Sequence, residues 1–126
     1  ALDLTEEWEK ASADGDTKAT LITGVVIARN DFIEAHPDAV ETFLQQYEAS
    51  VNYVNDNVAD AAVLVGNYDI VAAQVAEKAI PECNITFIAG NDMKAKLSSY
   101  LGILFEQNPA AVGGALPNDD FYYNAD

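Results

Sequence analysis

Cysteine is almost missing from this chain. Cys83 stands alone among 126 residues, so no disulfide framework within the chain organises the fold, and one thiol suits either redox compartment. Histidine also occurs once, as His36. With no second histidine and no cysteine near it in sequence, it reads as a helix-mouth residue, neither a zinc ligand nor the base of a nucleophilic pair. Basic residues are scarce: Lys10, Lys18, Arg29, Lys78, Lys94 and Lys96 face 21 acidic ones, for a formal net charge of −15. Such a surface repels phosphate backbones and anionic lipid, which argues against nucleic acid or a polybasic membrane contact. The ordinary role of that acid is solubility; an acidic partner surface is the sharper alternative. No apolar run approaches the roughly 20 residues a membrane-spanning helix needs; residues 21–28 fall far short. A glycine-rich phosphate loop is lacking too. Carboxylates are so abundant that any pair can be imagined as acid and base, and only geometry gives such a pair meaning.

What is present suits one small folded domain, since half of the residues are apolar. Leu21-Ile22-Thr23-Gly24-Val25-Val26-Ile27-Ala28 is a β-branched apolar run that predicts a buried strand. Asn30-Asp31-Phe32 reads as the end of that run and a short polar turn. Pro37 then sits where a first helical residue needs no N–H, with Asp38 and Glu41 in the first turn. Val40, Phe43, Leu44, Tyr47, Val51 and Val54 follow at helical spacing, which predicts a long helix ending near 55–57. A shorter helix runs from Asn57 and Asp60 through Val65, with Gly66 as its terminator. Val71, Val75 and Ala79 share the face of another, stopped by Pro81. Asn84-Ile85-Thr86-Phe87-Ile88 predicts a second strand, apolar on both faces. Asn91 or Asp92 opens the last long helix, with Met93, Leu97, Tyr100, Leu101, Leu104 and Phe105 as its stripe. The tail closes on Phe121-Tyr122-Tyr123, aromatics suited to pinning it to the body. At the start, Leu2 and Leu4 suit a short strand end, and Thr5 could equally cap a helical turn. The loop 11–18 contains Asp14-Gly15-Asp16, but the ligand spacing of a calcium loop is missing and a solvated turn is expected. Asn118-Asp119-Asp120 is read the same way. The fold class expected from these runs is α/β and helix-rich, with about two or three strands and four or more helices.

Three residues stand out as candidate ligand contacts. Gly24 lies inside an apolar strand pattern, where glycine weakens pairing unless it permits a bend or a close approach. A β-bulge and a hinge beside a cleft are equally compatible with it. Thr23 beside it offers a hydroxyl. Trp8 offers a flat face for stacking on a ligand, although a core anchor is the commoner role of such a residue. No catalytic residue, cofactor site or metal site is expected.

Several blocks of the chain carry a family resemblance. They are Ala1-Leu2-Asp3-Leu4-Thr5-Glu6-Glu7-Trp8, Leu21-Ile22-Thr23-Gly24-Val25-Val26-Ile27, Asn30-Asp31-Phe32, His36-Pro37-Asp38-Ala39-Val40 and Phe43-Leu44. Asn84-Ile85, Gly113-Gly114-Ala115-Leu116-Pro117 and Phe121-Tyr122-Tyr123 continue the pattern. Together they resemble the C-terminal part of ABC-transporter substrate-binding proteins of the type II periplasmic-binding-protein fold. The branch they resemble is the one that groups the taurine, sulfonate and thiamine-precursor binders. The resemblance implies a partial version of a fold with two α/β lobes, joined by two crossovers and closing on a ligand between them. Residues 1–20 would be the end of the second lobe and a linker. Residues 21–126 would be a crossover strand at Thr23-Gly24 and the C-terminal helical part of the first lobe. The start at Ala1-Leu2-Asp3, without Met or a signal pattern, reads as a mature or excised segment. The implied parent is extracytoplasmic, periplasmic or lipid-anchored at the cell surface, and passes a small-molecule solute to an ABC permease subunit. None of the blocks is a ligand code, so the solute is not named by them.

Two readings from other classes stand beside this one. A free-standing acidic interaction module accounts for the charge. A thiamine-pyrimidine-synthase-like enzyme is similar in fold to the binders, but the cysteine-rich iron motif associated with that branch is not present. Apolar faces left uncovered in a fragment predict self-association, as a homodimer or a swapped pair.

Overall fold

The computed structural model describes residues 2–12 and 20–124. Over them run α1 (Leu4–Ala11), α2 (Asn30–Ala35), α3 (Pro37–Asp56), α4 (Val58–Asn67), α5 (Ala73–Ala79) and α6 (Gly90–Gln107). Short 3-10 turns occupy Ile80–Glu82, Pro109–Val112 and Asp119–Phe121. Asp14-Gly15-Asp16, expected as a solvated turn, lies outside the described residues. The chain groups into two compact units, one of Ala1–Val26 with Ile88–Asp126, the other of Ile27–Phe87.

The expected α/β class is overturned, because no strand forms among the described residues. Residues 21–28 are neither helical nor paired, and no backbone hydrogen bond joins them to another described residue. Val25, Val26 and Ile27 are 60 %, 53 % and 81 % exposed. The β-branched pattern disfavours helix here, but a strand exists only where a second backbone supplies a ladder, and a lone extended segment gains none of that stabilisation. The second expected strand fails differently. Ile85 and Phe87 find side-chain partners on α3: Asn55 Nδ2 donates to the Ile85 carbonyl at 2.9 Å, and Phe87 meets Tyr47 edge-on at 5.9 Å between centroids.

Within the Ile27–Phe87 unit, α3 begins at Pro37 as its sequence dictates, although His36 makes no side-chain capping bond. Its stripe is buried at Val51 and half-buried at Val40, Leu44 and Val54, while Phe43 and Tyr47 remain exposed and stack on each other. Asn57 turns back: its Nδ2 donates to the Tyr53 carbonyl at 3.1 Å, serving the end of α3 and not the start of α4. The core is a small cluster of Ala61, Ala62, Ala76 and Ile80, with Val54, Val58, Val65 and Ile85 packed around it. The face of α5 that is buried is therefore the one bearing Ala76 and continuing to Ile80. Val71 and Val75, expected to point inward, are exposed. Gly66 is not the terminator. The helix ends one residue later, and a Cβ on Gly66 would stand 3.1 Å from Ala73 Cβ and 3.2 Å from its backbone nitrogen. Glycine is there so that α4 and α5 can touch. The turn is then reversed by Asp69 at φ +54, a conformation that Asp tolerates better than most residues.

In the other unit, α1 is capped by Asp3, whose Oδ1 accepts from Thr5 N at 2.9 Å and Glu6 N at 3.2 Å. This replaces both the strand end expected at Leu2 and Leu4 and the Thr5 cap. Helix α6 opens at Gly90, φ +58, with Ala89 in the capping position, so neither Asn91 nor Asp92 starts it. Its expected stripe is half-buried throughout, and no residue of α6 is fully buried. Asn108 Oδ1 accepts from Ala110 N and turns the chain into the 3-10 segment after α6. Of the three aromatics expected to hold the tail, Tyr122 does so at 6 % exposure, Tyr123 is half-buried and Phe121 is exposed; Lys94 on α6 pairs with Asp119 at 3.2 Å.

Candidate functional site

Thr23 and Gly24 lie on the extended stretch, and both are exposed. A Cβ built on Gly24 would meet nothing within 4 Å, so no close approach of another chain segment explains this glycine. What it retains is conformational freedom in a segment without ladder bonds. Trp8 is placed by α1, half-buried, with its ring 5.3 Å from that of Tyr100 on α6 and tilted by 45°. That geometry is an aromatic packing contact between α1 and α6.

A concave surface exists elsewhere, within the Ile27–Phe87 unit. It is an open hollow of about 620 Å³ lined by Ile27, Ala28, Arg29, Asp31, Phe32, Ala35 and His36. Helix α2 builds it. Arg29 occupies the N-capping position and its backbone carbonyl accepts from Phe32 N and Ile33 N. Arg29 also grips Asp31, Nε to Oδ1 at 2.9 Å and Nη2 to Oδ2. The bidentate pair holds the Asp31 carboxyl below its ordinary range and the guanidinium above its own. Both groups are exposed, so this pairing orders the turn and adds little stability. His36 closes α2 and opens α3, and its ring lies 4.9 Å from that of Phe32.

The chemistry available in the hollow is an apolar floor, one imidazole against a phenyl ring, and a cation whose charge a neighbouring carboxylate already answers. Nothing there activates a nucleophile or pairs two acids. Among the described residues no group of three or more His, Cys, Asp or Glu side chains is placed to hold a metal ion. No helix among them is long and apolar enough to cross a membrane. Sequence periodicity missed this hollow because Asn30-Asp31-Phe32 reads as a turn, and six residues are too few for a helical stripe to show. The one available signal was the Arg29-x-Asp31 spacing after an apolar run. Comparison of the chain with protein-family models, with curated proteins and with solved structures finds no match to any of them.

Proposed function

We propose that this chain is part of an extracytoplasmic solute-binding protein that delivers a small molecule to an ABC importer. The observation that carries the reading is the succession of Leu21-Ile22-Thr23-Gly24-Val25-Val26-Ile27, Asn30-Asp31-Phe32 and His36-Pro37-Asp38-Ala39-Val40, which resembles that family in order and spacing. The exposure of Val25, Val26 and Ile27 supports it, because an uncharged apolar stretch of this kind calls for a covering surface that the described residues do not supply. Gly24 supports it as well: its unobstructed backbone suits a passage that changes dihedral angles when a binding protein closes. On this reading the protein binds and releases its solute without transforming it, and Thr23 and Gly24 are the contacts this chain contributes, while Trp8 packs on Tyr100.

The test is made on the full natural gene product. Its coding region is sequenced on both sides of this segment, and the purified protein is screened by thermal shift against sulfonates, amines and pyrimidine thiamine precursors. A solute class that raises the melting temperature, with affinity weakened by Thr23→Ala or Gly24→Val, is the expected result. A product consisting of little more than these residues, with no solute response, overturns the reading. It would favour the acidic interaction module, which draws on the charge of −15 and on the helix-rich character of the described residues.

A further inference from the structure

We draw no further inference here: the strongest candidate, the uncharged extended stretch 20–28 with Val25, Val26 and Ile27 exposed, is an apolar surface for which nothing in the structure shows what covers it.

Discussion

Tyr122 is the largest side chain among the buried residues, and burial shapes its chemistry. Removal from water disfavours the phenolate, and Asp119 nearby adds like-charge repulsion, so its pKa rises above the ordinary 10.0. The sign of the linkage follows. Folded Tyr122 keeps its proton to higher pH than an unfolded tyrosine does, so its contribution to stability is complete below the unfolded value and is lost as pH rises through the folded one. Alkaline titration followed by phenolate absorbance is expected to contain a late-ionising component, and Tyr122→Phe is expected to remove it. A titration curve that Tyr122→Phe leaves unchanged at its alkaline end would contradict the placement. Gly66 is the other residue whose role is set by its neighbours. A side chain there must displace the Ala73 backbone, so Gly66→Val is expected to cost roughly 1–3 kcal/mol by overpacking, read as a lowered midpoint in urea unfolding.

At the scale of elements, α4 and α5 are held together by small residues and one larger one. Ile80 closes the cluster of Ala61, Ala62 and Ala76 from the 3-10 turn that follows α5. Its truncation opens a cavity that three alanines cannot refill, and Ile80→Ala is expected to lose about 2–4 kcal/mol in chemical denaturation. Val75→Ala, on the exposed face of the same helix, is expected to change stability by less than about 0.5 kcal/mol. If both variants lost stability equally, the assignment of the buried face would be wrong. The pattern 71, 75, 79 was the natural choice from sequence, because valine is the more apolar residue. The structure takes Ala76 and Ile80 because the contact at Gly66 and Ala73 brings the helices too close for a valine seam. Hydrophobicity ranks candidates for burial; distance between backbones chooses among them.

At the scale of the whole molecule, the uncovered apolar surface is the property with the clearest consequence. Leu2, Leu4, Ile27, Tyr68 and Ile70 are among the large apolar residues left exposed. A chain with a net charge of −15 resists association everywhere except where charge is missing, and residues 20–28 carry none. We expect this chain to self-associate at high concentration and more strongly as salt screens the acid. Sedimentation velocity of the double variant Val25→Lys, Ile27→Lys should shift the population toward monomer. A strictly monomeric wild type at the same concentration would sink this expectation.

The long helix from Pro37, the burial of Val51 on its stripe and the docking of the tail at Tyr122 were legible in the residues. The helix depends on local spacing and needs no distant partner; the aromatics only marked the tail as a segment to be docked, and α6 supplied Lys94 for its Asp119. Thr23 and Gly24 were legible as an unusual pair inside an apolar run, and the hollow around α2 was not, since a six-residue helix leaves no periodic trace. What the sequence by itself set at residues 21–28 was a bias away from helix, because β-branched side chains lose χ1 freedom in one. Only the tertiary structure decided that they form no strand. A ladder belongs to two backbones, and no described part of this chain lends residues 21–28 the second one.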